Sequence, residues 1–165
     1  VKEVGLGISP SVAKKLSKTK IGAINVAGMG GTSWAGIEQI RAKKFKNKKK
    51  SDIGLLFWDW GIPTAATIFL TRHSVKTPII ASGGLRNGLD LAKSITLGAD
   101  VGGFARPMLT PASKSYNSLT TFIDQLVLEL KSTMFLIGAK NIRELKSAEY
   151  ITTEPLTSWI SKVRK

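Results

Sequence analysis

The chain has 165 residues, 42% of them apolar, and a formal net charge of +14; this apolar share excludes wholesale disorder, and the length suits one globular unit or part of one. It holds no cysteine, which excludes a disulfide framework and a thiolate metal site. No apolar run approaches the length of a membrane span and the N terminus does not read as a signal peptide, so a cytoplasmic protein without a membrane partner is expected.

Residues 1–5 are apolar and β-prone and begin abruptly, as a strand cut from a longer chain would. Ser9-Pro10 opens a helix with Val12, Ala13 and Leu16 inward, a capping side chain followed by proline at the first helical position. A buried strand is expected over Ile21–Ala27, closed by Gly28-Met29-Gly30-Gly31, with Thr32-Ser33 opening a helix to about Arg41. The charge is uneven: residues 1–50 carry 12 of the 25 basic residues and 2 of the 11 acidic ones. Residues 43–51 are therefore expected to form a basic, flexible loop. Asp52–Trp60 is an apolar run that could be a short strand, and Pro63-Thr64 starts a helix to about Ser74.

Residues 78–108 are the most informative stretch. Pro78–Ser82 is a short apolar run stopped by Gly83-Gly84; Gly88–Leu97 has helical spacing; Asp100–Ala105 returns as a strand. Strands joined through a helix lie parallel. Tyr116–Ile137 is the longest helix, followed by short ones near Ile142–Leu145 and Leu156–Val163. Strands near residues 1, 21, 78 and 100, each followed by a helix, imply an α/β fold: the C-terminal half of a (β/α)8 TIM barrel with extra C-terminal helices, or an open doubly wound sheet. The whole chain, 1–165, is then part of a single domain.

Arg86 and Arg106 follow two successive strand ends beside glycines, so both cations gather at the carboxyl edge of the sheet, where the helix starting near Gly88 adds its positive end. Such a setting suits a phosphate dianion. Lys2 sits in an expected strand, where spacing alone favours an edge lysine that blocks aggregation. Gly28–Ser33 is an anion-binding loop or simply a close helix–strand turn. His73, the single histidine, reads as structural, and Asp59 between two tryptophans as a local cap. The lysine run lacks interleaved aromatics apart from Phe45 and no nucleic-acid-binding fold accompanies it, so no nucleic-acid partner is expected, an RNA-binding domain being the rival reading.

Val-Lys-Glu-Val-Gly at 1–5, Ala-Gly-Met-Gly-Gly-Thr-Ser-Trp at 27–34, Asp-Trp-Gly-Ile-Pro-Thr at 59–64, Ala-Ser-Gly-Gly-Leu-Arg-Asn-Gly-Leu-Asp at 81–90, Gly-Ala-Asp at 98–100, Ala-Arg-Pro at 105–107 and the helix end Met134–Ala139 follow one another in an order that resembles type 2 isopentenyl-diphosphate isomerases. The resemblance runs almost end to end but covers only the C-terminal half of that family. The glycine–arginine stretch by itself also fits 2-hydroxy acid oxidases and inosine monophosphate dehydrogenase.

The resemblance implies a barrel that binds FMN, is reduced by NADPH, uses Mg2+ to hold a diphosphate, and interconverts isopentenyl and dimethylallyl diphosphate with the reduced flavin as acid and base. It further implies that Lys2 lies near the flavin ring and that Thr32 contacts FMN. Gly83, Gly84, Leu85 and Arg86, with Ala105 and Arg106, form the phosphate loops. Ala27 stands where some members have serine, which removes a hydrogen bond. Catalytic side chains are not assigned, no metal ligand is expected in this chain, and the Mg2+ ligand is expected in a missing N-terminal half. A half barrel exposes strand edges, so association with that half and into a homo-oligomer is expected. This chain alone is expected to be inactive; a non-catalytic flavin-binding module or another FMN-dependent TIM-barrel oxidoreductase are the alternatives.

Overall fold

The computed structural model describes residues 1–161. Helices surround a short parallel sheet: α1 (Pro10–Ser17), β1 (Ile24–Asn25), α2 (Trp34–Lys44), α3 (Lys48–Leu56), α4 (Thr64–Arg72), β2 (Ile79–Ala81), α5 (Gly88–Thr96), β3 (Val101–Gly102), α6 (Arg106–Lys114), α7 (Tyr116–Leu136), α8 (Ile142–Lys146) and α9 (Leu156–Ser161). The strands run in the order β1-β2-β3, all parallel, with Ile24 opposite Ile79 and Ile80 opposite Val101. Residues 1–3 lie along the free edge of β1: Lys2 pairs in parallel with Asn25, whose amide donates to the Val1 carbonyl at 2.8 Å. Four extended segments thus stand side by side with their carboxyl ends together.

Three of the four expected strands, those near residues 21, 78 and 100, are present but shorter. At the end of β1, Ala27 takes φ 31°, outside the extended region, and this stops the ladder at a glycine turn. Residues 1–5 contribute an isolated bridge rather than a strand. The largest change concerns residues 43–60. The expected basic loop is mostly helical, because α2 runs on to Lys44 and α3 starts at Lys48 under an Asn47 cap that accepts from the Lys50 amide. The run Asp52–Trp60, expected as a short strand, is the rest of α3 as far as Leu56 and a turn after it. Its apolar side chains face outward, with only Gly54 buried, against Gln39 of α2.

Ile24, Val26, Ile68, Ile79, Ala81 and Ala99 are buried where sheet meets α1 and α4. A second cluster, Ala92, Ile95 and Leu145 with Leu130 and Met134, joins α5, α7 and α8. α6 was not foreseen. Pro107 falls in its first turn, where the missing N–H costs nothing, and a second proline, Pro111, lies inside the helix. The expected last helix is seen as far as Ser161; residues 162–163 of it lie outside the described residues.

Below the sheet, Arg72 donates to the carbonyls of Gly98 and Thr77 and pairs with Asp100 at 2.9 Å. Lys146 and the Ile79 amide bond the same carboxylate. Partial burial pushes the Asp100 carboxyl up, but these hydrogen bonds and the Arg72 and Lys146 charges outweigh it and hold the group below the usual carboxylate range.

Candidate functional site

A cavity of about 860 Å³ opens at the carboxyl edge of the sheet. Its lining contains all eight residues singled out in the sequence: Lys2, Thr32, Gly83, Gly84, Leu85, Arg86, Ala105 and Arg106. The topology explains the convergence, since parallel strands bring every strand-to-helix loop to one edge.

Two of the glycine loops pack backbone on backbone. The Gly28 amide donates to the Ser82 carbonyl at 2.9 Å, and Thr64 Oγ1 donates to the Gly83 carbonyl at 2.5 Å. Gly83 and Gly84 hold φ of +103° and +84°, and a side chain on either would run into the Gly28 or Gly30 carbonyl. Their presence is therefore explained by turn and packing before any ligand is considered. What they leave for a ligand is donors: among the described residues the amides of Gly84, Leu85, Ala105 and Arg106 have no protein acceptor. The Leu85 side chain belongs to the core, so this residue offers the cavity its backbone alone.

The helix that points its positive end at the cavity is α6, not α5. At the start of α5 the Gly88 amide donates to Glu129 at 2.6 Å and the Asp90 amide to Asn87 at 2.8 Å, while Asp90 itself accepts from the Arg86 amide. That terminus is closed by Asn87 and by Glu129 of α7 and carries the acid Asp90, so it is unfit for an anion. The Gly88 amide, with help from Gln125, in turn holds the Glu129 carboxyl below its ordinary range. At the start of α6, by contrast, Ala105 provides no side-chain cap, and Ala105, Arg106, Pro107 and Thr110 all line the cavity. Arg86 and Arg106 are exposed at its rim and make no ion pair among the described residues. Uncapped amides and two free guanidiniums form a concave, positively charged seat.

On the opposite wall, Lys2 donates to the neighbouring Glu3 carbonyl at 2.8 Å and is exposed to the cavity. Beside it stands Asn25, which the sequence reading passed over. Its Oδ1 accepts from Ser82 Oγ at 2.6 Å and from the Ala27 amide at 3.2 Å, and Asn25 lines the cavity. A signal for it existed: Asn25 is a polar residue between Ile24 and Val26, both fully buried, and strand alternation turns it to the other face. Trp34 and Phe104 add apolar wall. His73 stacks on Phe69 with ring centres 3.8 Å apart and bonds its carbonyl, a structural role away from the cavity, and Asp59 does not line it either. Among the described residues no group of acidic or imidazole side chains is arranged to hold a metal.

Known proteins resemble this chain in sequence and in fold. The chain is 48% identical over 159 residues to an isopentenyl-diphosphate delta-isomerase of Picrophilus torridus, covering 96% of this chain and 45% of that protein. To those of Methanococcus maripaludis and Pyrococcus furiosus it is 45% and 42% identical, over 98% of this chain and 45% and 40% of theirs. The chain spans a little under half the length of these relatives. Among solved structures, a mandelate oxidase variant with an FMN adduct superposes with TM-score 0.66 at 15% identity, over 92% of this chain and 41% of that one. A Trypanosoma brucei GMP reductase superposes with TM-score 0.61 at 23% identity, over 88% and 32%. These likenesses bear on the fold, which is α/β and matches part of a TIM barrel. The FMN-dependent dehydrogenase family matches residues 58–153, more than half of the chain, and the chain belongs to that family.

Proposed function

We propose that this chain is the C-terminal part of an FMN-dependent isopentenyl-diphosphate isomerase that interconverts isopentenyl and dimethylallyl diphosphate. One observation carries the reading: similarity over almost the whole chain to proteins of that name, with every residue that the resemblance singles out lining one cavity.

The donor set fits FMN. In this reading the amides of Gly84, Leu85, Ala105 and Arg106, the α6 terminus and the Arg86 and Arg106 side chains neutralise the phosphate. Lys2, on the facing wall, holds negative charge at the ring. Thr32 contacts the cofactor, the Ser82–Asn25 pair fixes the Asn25 amide beside Lys2, and Trp34 and Phe104 exclude water. Reduced FMN would supply an acid–base group matched to very weakly basic allylic carbons, which ordinary side chains match poorly. We assign reduction to NADPH and the substrate diphosphate to Mg2+, whose ligands would lie in the part of the relatives this chain does not span. Completion of the barrel by that part, assembly into a homo-oligomer and a cytoplasmic location belong to the same proposal.

The test is conversion of isopentenyl to dimethylallyl diphosphate by the full-length protein with FMN and NADPH. Formation of the allylic isomer without net consumption of NADPH is expected. Oxidation of a 2-hydroxy acid with no isomerisation would replace the reading with that of an FMN-dependent oxidoreductase.

A further inference from the structure

We propose that the tip of the α2–α3 hairpin docks on an anionic membrane surface, an activity independent of the reading of the cavity. The two helices pack chiefly against each other, burying Gly36, Gln39, Ala42 and Gly54. Their other faces are open. From Arg41 to Lys50 stand seven cations and no acid, all seven exposed. Among the described residues only Arg41 has a carboxylate partner, the exposed Glu38 at 2.7 Å. Phe45 at the turn is 78% exposed, and Ile40 and Ile53 are each 59% exposed.

Three occupants compete for such a surface. A second copy would bring the same seven charges and be repelled. Nucleic acid would pair with the lysines but gains nothing from Ile40 and Ile53, which cannot stack on bases. Anionic lipid takes both sets: lysine stems lie along the apolar boundary with their ammonium groups at the head-group phosphates, and Phe45 enters the interface. A role in steering substrate to the cavity is disfavoured by distance. Trp34 lines the cavity and Lys44 ends the helix ~15 Å further on, about two Debye lengths in physiological salt. No membrane partner was expected because no apolar run is long enough to span; a peripheral contact needs no span, and two helices rather than a loop carry these side chains. No helix among the described residues is long and apolar enough to cross a membrane, so the contact is peripheral.

The experiment is co-sedimentation of the full-length protein with vesicles of phosphatidylcholine, with and without phosphatidylglycerol. Binding to the anionic vesicles alone is expected, reversed by high salt. The triple variant Lys46→Glu, Lys48→Glu, Lys49→Glu should weaken it at least ~10-fold, and Phe45→Ser should weaken it while its salt dependence persists. Unchanged melting temperature of both variants separates lost docking from lost folding. The proposal is overturned by three results: no binding to anionic vesicles, binding that survives the charge reversal, or polyuridylic acid displacing the vesicles. Failure of an amine-acylating reagent to reach Lys46 and Lys48 in the lipid-free full-length protein would also overturn it, since the tip would then be covered by protein.

Discussion

Arg106 concentrates the chemistry of the proposed cofactor seat. Its amide is in the open first turn of α6 and its side chain is exposed at the cavity rim without an acidic partner among the described residues. Arg106→Ala in the full-length protein should raise the FMN dissociation constant about 10- to 100-fold, the loss of one or two hydrogen bonds to a charged group. Flavin fluorescence quenching measures it, and an unchanged melting temperature is expected because the side chain covers no core. Asp100 is a different case, structural and titratable. Its folded-state carboxyl is held low, so the unfolded chain takes up the proton first. The stabilisation is complete above about pH 4 and is lost as pH falls through the folded value. Asp100→Asn should cost about 1–2 kcal/mol at neutral pH and flatten the acid limb of a stability–pH curve followed by urea unfolding. An acid limb as steep as that of the wild type would show that another carboxylate carries it.

The helix termini show how capping allocates function. Asn87, a polar N-cap, together with Glu129 closes α5, whereas Ala105, without a capping side chain, leaves α6 open. Asn87→Ala should therefore destabilise the fold by about 1 kcal/mol while leaving FMN affinity unaltered; a matching loss of affinity would return the phosphate to α5. The sequence pointed to α5 because glycine and arginine precede it, and it hid α6 because two prolines broke the apparent pattern. Periodicity was reliable for the long helix, expected over Tyr116–Ile137 and observed over Tyr116–Leu136. It failed at α3, where an apolar run reads as a short strand although it is helical and its apolar side chains point outward. Only the partner helix, α2, which takes up Gly54, makes that arrangement intelligible.

Four extended segments and their helices form an arc of parallel sheet, and an arc leaves edges. Val101 on β3 is 54% exposed, as are Val1 and Val4, at 59% and 57%, on the opposite side. Unpaired edges favour association with further strands. The 165-residue polypeptide by itself should therefore give no isomerase turnover, and adding the remaining portion of the full-length protein should restore it; turnover by the short polypeptide would contradict this. The order of the three main strands, their parallel arrangement and the gathering of Arg86 and Arg106 at one sheet edge were legible in the sequence, because glycine turns and βα connection rules are local or nearly so, whereas Lys2 and Thr32 came only from the resemblance. Sequence alone also carried the family, through ordered motifs rather than through any single one. Tertiary structure decided which helix end remains open, that Leu85 serves through its backbone, that Asn25 stands beside Lys2, and that the lysine run rides on a helical hairpin. Each depends on which group satisfies which donor or covers which face across the fold, a matter of partners distant in sequence that no local pattern encodes.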